Sequence, residues 1–124
     1  MRDIIISLSA ETNEVKLNKH EMGIEGEHLQ REFIVEFIDE FVDGTAVLEY
    51  KKSSGDKGVL PLTKRDNEYS AYVIDELTRE TTGVKFQVKI VQPTTDAGTP
   101  IFKSKIFTLG VGEGIMATDD EERV

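Results

Sequence analysis

Gly83-Val84-Lys85-Phe86-Gln87-Val88-Lys89-Ile90-Val91-Gln92, a loop from Pro93 to Pro100, then Ile101-Phe102-Lys103-Ser104-Lys105-Ile106-Phe107-Thr108-Leu109: the reading of this stretch decides the fold. In the first run Val84, Phe86, Val88 and Ile90 alternate with Lys85, Gln87 and Lys89, so one face is apolar and the other polar. The second run is less regular. Ile101, Phe107 and Leu109 share a parity with Lys103 and Lys105, while Phe102, Ile106 and Thr108 share the other. Gly83, Pro93, Gly98 and Pro100 punctuate the ends, which predicts a long-looped β-hairpin. Such a hairpin cannot bury its apolar face alone, so the upstream chain must cover it.

Working outward, the upstream chain supplies more strands. Asp3 to Ser9 and Val15 to Asn18 read as a hairpin closed by a turn at Ala10–Glu14, and Lys19 to Glu27 reads as a connector. Leu29 to Val42 fits two patterns. Leu29, Phe33, Phe37 and Phe41 fall on one helical face, yet Phe33, Val35 and Phe37 also alternate among β-branched and aromatic neighbours. Local pattern leaves helix and strand equally supported. The strand-rich context favours a strand through Phe37 and a bend beyond it.

Asp43-Gly44 signals a turn, Thr45 to Lys51 a strand, Ser53 to Gly58 a turn and Val59 to Leu62 a short strand. Pro61 lacks an amide donor and places that strand at an edge. Lys64 to Glu68 turns the chain, Tyr69 to Ile74 is a strand, and Asp75 to Thr82 holds one helical turn capped by Asp75. Past Leu109 the pattern ends in Gly110–Gly114 and an acidic tail, Asp119–Val124. Turn signals about every eight to twelve residues, over about seven or eight strands, predict an all-β, antiparallel sandwich. The expected division is a single sandwich domain over 1–111 and an acidic C-terminal tail or linker over 112–124.

The length of 124 residues is that of one domain. Fifteen Lys and Arg against 24 Asp and Glu give a net charge of −9, which repels phosphate and argues against nucleic acid. Cysteine is absent, so disulfides, thiolate nucleophiles and Cys-ligated zinc are excluded. The apolar run Ile4-Ile5-Ile6 is too short for a signal-peptide core, and no run approaches a membrane span. A soluble protein made in a reducing cytoplasm is expected.

The search for chemistry finds no catalytic, cofactor-binding or metal-binding residue to nominate. His20 and His28, with Glu21, Glu25 and Glu27 around them, match no zinc spacing and read as exposed histidines. Asp39, Asp43 and Gly44 fail as a calcium loop because Phe41 and Tyr50 occupy ligand positions. Gly110–Gly114 lacks the spacing of a phosphate cradle. The nine aromatic side chains sit mostly on apolar faces and read as core. Exposed strand edges have two readings, which can both hold on different edges: they pair with neighbouring subunits, or they are protected from pairing by Pro61 and by lysines such as Lys85, Lys89 and Lys103.

Several segments together resemble a known family. Gly23-Ile-Glu-Gly-Glu27 leading into Phe33-Ile-Val-Glu-Phe37 is similar to the opening of the N-terminal domain of baseplate upper proteins and related tail proteins from phages of Gram-positive bacteria. Phe41–Tyr50 resembles that family's following strand, Leu62–Tyr69 its next turn, and the hairpin with Lys103-Ser-Lys105 its close. The resemblance spans Gly23 to Val111. It implies an immunoglobulin-like sandwich acting as a non-catalytic assembly and attachment module in the virion tail, synthesised in the bacterial host cytoplasm. The partners it implies are other phage tail or baseplate proteins, with self-association left open, and no cofactor, nucleic acid or membrane insertion. It further implies a longer C-terminal region, which would make this chain part of a larger protein. A carbohydrate-binding or adhesive sandwich module is the alternative, since one architecture serves many functions.

Overall fold

The structure is a computed structural model that describes residues 3–79, 83–92 and 100–112. Eleven strands and one helical turn follow one another along those residues: β1 (Ile4–Leu8), β2 (Val15–Leu17), β3 (Glu21–Ile24), β4 (Glu32–Phe37), β5 (Thr45–Lys52), β6 (Lys57–Pro61), β7 (Thr63–Arg65), β8 (Glu68–Tyr72), α1 (Asp75–Thr78), β9 (Val84–Val91), β10 (Pro100–Lys103) and β11 (Phe107–Gly112). They form two sheets, ordered β2-β1-β4-β8-β7 and β3-β11-β9-β5-β6, with β10 also paired to β9. The all-β sandwich is as the sequence predicts. The strands outnumber those expected, and β1–β4 and β11–β3 pair parallel while the other pairs are antiparallel.

Alternation explains most of this directly. Ile4, Ile6 and Leu8 of β1, Phe33 and Val35 of β4, Ala46 and Leu48 of β5, and Val84, Phe86, Val88 and Ile90 of β9 are all buried. Facing side chains interlock: Phe33 of the first sheet lies 5.6 Å from Phe86 of the second, and Phe37 meets Phe102 edge-on at 5.2 Å. The ambiguous segment resolves as a strand over Glu32–Phe37 with a bend after it. Pairing with β1 on one side and β8 on the other satisfies its backbone in a way one amphipathic helix could not match here.

The organising hairpin proves to be a three-part ladder. β9 pairs with β10 from Val91 to Lys89 and with β11 from Phe86 to Val84. Between those pairings Gln87 and Val88 of β9 face Ser104, Lys105 and Ile106, one residue too many, which is a β-bulge. The bulge accounts for the mixed parity of the second run: Phe102 and Ser104 are buried, Lys105 and Ile106 are both exposed, and Phe107 and Leu109 are buried again. Ser104 keeps the ladder satisfied by accepting from Val88 N–H through its hydroxyl (3.0 Å) while its own N–H donates to the Val88 carbonyl (2.9 Å). The β1–β2 turn folds over this point. Asn13 Nδ2 donates to the Lys103 carbonyl (2.6 Å), and Lys105 N–H donates to the Asn13 carbonyl (2.9 Å), joining one sheet to the other.

Four local expectations are corrected. The connector expected at 19–27 contains β3, because Glu21–Ile24 finds a parallel partner in β11, a long-range pairing that leaves no local pattern. The turn expected at Lys64–Glu68 is shorter, since Thr63–Arg65 pairs with β8. The patternless exit expected at Gly110 begins later, because Gly110 and Gly112 pair with β3. Asp75 does not cap α1. The N-cap is Ile74, and the Asp75 N–H instead donates to Nδ1 of His28 (2.9 Å), so a histidine from the distant β3–β4 loop takes that role. Of the loop expected at Pro93–Pro100 and the tail expected at 112–124, Pro100 begins β10 and Gly112 ends β11, and the rest lies outside the described residues.

Candidate interaction face

The residues weighed at first as chemistry are engaged in building the fold. His28 holds the start of α1, and the His20 carbonyl accepts from Gly110 N–H (2.8 Å). The Asp39 carboxylate accepts hydrogen bonds from the N–H groups of Ala10 (2.8 Å), Glu11 (3.3 Å) and Glu40 (2.7 Å) and from the Ser9 hydroxyl (2.8 Å). The bond from the Ala10 amide, followed by those from Ser9 and Glu40, holds the Asp39 carboxyl well below the usual carboxylate range. Asp43 pairs with Lys64 at 3.0 Å. Among the described residues no three His, Asp or Glu side chains gather to hold a metal ion. No helix of the described residues is long and apolar enough to cross a membrane.

Two tyrosines illustrate the same engagement. Tyr69 is fully buried, accepts from Gly44 N–H (3.1 Å) and donates to the Val42 carbonyl (2.7 Å). Burial pushes its hydroxyl pKa above the ordinary value. Burial also raises that of Tyr50, helped by the nearby charge of Glu76. Glu76 in turn pairs with the buried Lys52 at 3.1 Å, tying the end of β5 to α1.

The outer face of the second sheet is different in kind. Strand registers place side chains in rows across β6, β5 and β9: Lys57, Lys51 and Lys85 in one, Val59, Glu49 and Gln87 in the next, and Pro61, Val47 and Lys89 in a third, which Lys103 of β10 extends. Five lysines therefore share this face with Glu49 as its one acid on those four strands, although the whole chain is strongly acidic. Lys89 pairs with Glu49 at 2.9 Å. Lys51, Lys57 and Lys85 have no ion-pair partner among the described residues. Like charges directly opposite one another across strands are destabilising, and here three stand side by side.

A solvent-open recess of about 580 Å³ lies over this row. Val59, 56% exposed, and Ile106, 64% exposed on the bulge, stand at its sides. A second recess of about 260 Å³, near Lys19 and His20, includes Arg31, whose guanidinium already pairs with Glu27 at 3.2 Å. The first is thus the better candidate for contact with another molecule. Lys85 and Lys89 do not guard an edge as the sequence suggested, because β9 is flanked by β5 on one side and by β10 and β11 on the other. Pro61 does lie on an edge strand, β6.

The fold is similar to the N-terminal domain of phage TP901-1 ORF48. The two superpose with a TM-score of 0.60 at 8% sequence identity, over 89% of this chain and 98% of the phage domain. At that identity the likeness is one of fold. No family model and no curated protein matches the sequence. The phage domain and this chain thus share a sandwich architecture, while the lysine rows are described from this chain's own residues.

Sequence reasoning missed these rows for a physical reason. Residues 51, 57 and 85 become neighbours through the registers of β5 with β6 and β9, which no local pattern encodes. The trace in the sequence was lysine at two outward positions of β9, Lys85 and Lys89.

Proposed function

We propose that this chain is a non-catalytic structural component of a phage tail or baseplate, serving as an assembly and attachment module. The observation that carries the reading is the likeness of fold to a phage domain that extends over 89% of the chain and 98% of its counterpart. The segments from Gly23 to Val111 that resemble the tail-protein family support it independently of the superposition. In this reading the partners are other tail or baseplate proteins, the protein resides in the virion after synthesis in the host cytoplasm, and the sandwich is followed past Gly112 by a tail or linker. Asp39 pins the β1–β2 turn and His28 the start of α1, which suits a scaffold.

The carbohydrate-binding alternative gains no support from the surface. Sugar sites use exposed aromatic platforms, and Tyr72 is the large exposed aromatic among the described residues, the other rings being packed against the core. Co-expression with the tail proteins encoded in the same genome, followed by purification of assembled particles, tests the proposal. Stoichiometric retention of the chain in tail or baseplate particles is expected. Its absence from purified particles that are otherwise complete would overturn the reading.

A further inference from the structure

We propose that the outer face of β6, β5 and β9 is a docking surface for an amphipathic acidic segment of another polypeptide, gripped by Lys51, Lys57 and Lys85 and flanked by Val59 and Ile106. The inference stands on the face itself and holds whether or not the chain is a tail component. Neighbouring strands are about 4.8 Å apart, so the three lysine positions span about 10 Å along the row, the reach of two or three carboxylates on one side of a short segment. The next row, about 7 Å along the strands, places Val59 at one side and Ile106 at the other. An occupant with acidic side chains over the lysine row can set apolar ones against Val59 and Ile106, which bracket Gln87 and the Lys89-paired Glu49 in the second row.

Three observations favour a polypeptide over a nucleic acid. The cations are all lysines, with no arginine fork to take a phosphate in two bonds. The rings nearest the recess, Tyr50 and Phe86, pack toward each other at 6.3 Å, which leaves no platform for a base. The net charge of −9 repels a long polyanion, whereas a short acidic segment meets the local excess of lysine. Repulsion within this row, which has no ion-pair partner among the described residues, also costs the protein stability, as expected where charge serves a partner instead of the fold.

The test uses the full chain and a labelled peptide alternating glutamate with leucine, with its glutamine counterpart and a single-stranded oligonucleotide as competing probes. Fluorescence anisotropy should show the acidic peptide binding with an affinity that falls as salt rises. The double variant Lys51→Gln/Lys85→Gln should bind it about tenfold more weakly. The same variant should melt at a higher temperature, which a purely structural role for these lysines would not produce. Lys64→Gln, which lies elsewhere and pairs with Asp43, should leave binding unchanged.

Equal binding of the glutamine peptide, unchanged affinity in the double variant, or a lower melting temperature for it would overturn the proposal. Lysine-dependent binding of the oligonucleotide in preference to the peptide would assign the face to nucleic acid and overturn it too. So would a lysine-dependent dimer in sedimentation, which would make the occupant a second copy. Neutralising Asp119, Asp120, Glu121 and Glu122 should not change peptide affinity; a marked tightening would mean that the chain's own acidic end competes for the face.

Discussion

Tyr69 shows how much one side chain decides here. Its hydroxyl holds both the Gly44 amide and the Val42 carbonyl, and its ring stacks on Phe41 at 5.4 Å. Gly44 is itself required, since a Cβ there would lie 2.6 Å from the Val91 carbonyl oxygen. Tyr69→Phe keeps the ring and removes both hydrogen bonds, so it should lower unfolding stability by about 1–3 kcal/mol in urea titration. Asp39 acts from the surface. Its carboxyl is held well below the usual carboxylate range, so its contribution is present above the unfolded-state value of about 4 and is lost as pH falls below it. Melting temperatures across acidic pH should show the wild type losing ground to Asp39→Asn on descending below about pH 4, with the difference constant near neutrality. Neither role was visible in the sequence, where Asp39 stood out as part of a failed calcium loop. Its partners Ser9, Ala10 and Glu11 lie about thirty residues away and meet it only through the β1–β4 pairing.

At the scale of elements, the strands that alternation predicted are those whose two faces meet different surroundings. β1, β5 and β9 were legible for that reason, while β3 was not, because Glu21-Met-Gly-Ile24 is short and owes its existence to a partner near the far end of the chain. The bulge lies between these cases: the sequence carried its trace as a parity conflict but not its cause. That cause makes an unusual pair of deletions informative. Removing Lys105 takes out the extra residue, so Ser104 still meets Val88, Phe107 still meets Phe86, and the core register survives. It sacrifices the bonds to Asn13 and Glu14 and should cost about 1–3 kcal/mol. Removing Thr108 instead would turn Leu109 and Val111 outward. With each buried aliphatic side chain contributing about 1.5–3 kcal/mol, it should forfeit about 3–6 kcal/mol, comparable with a small domain's whole stability. Circular dichroism and urea melts should show the first variant folded and the second largely unfolded.

For the whole molecule, charge is distributed unevenly in a way composition conceals. A net charge of −9 suggested a uniformly acidic particle, yet one sheet presents lysines in rows. Fold class was readable from local pattern because burial imposes it residue by residue. The candidate face was not, because it is a product of register across strands far apart in sequence. The strap from Asn13 to Lys103 spans ninety positions, and β3 waits for β11 in the same way. During synthesis the early strands must therefore leave the ribosome long before the partners that complete them, since the last of these ends at Gly112. Until then the end of β9 from Phe86 to Val84 lacks its β11 partner, so the nascent sheet stays unfinished, and open to misassembly, until the strand that ends at Gly112 can pair.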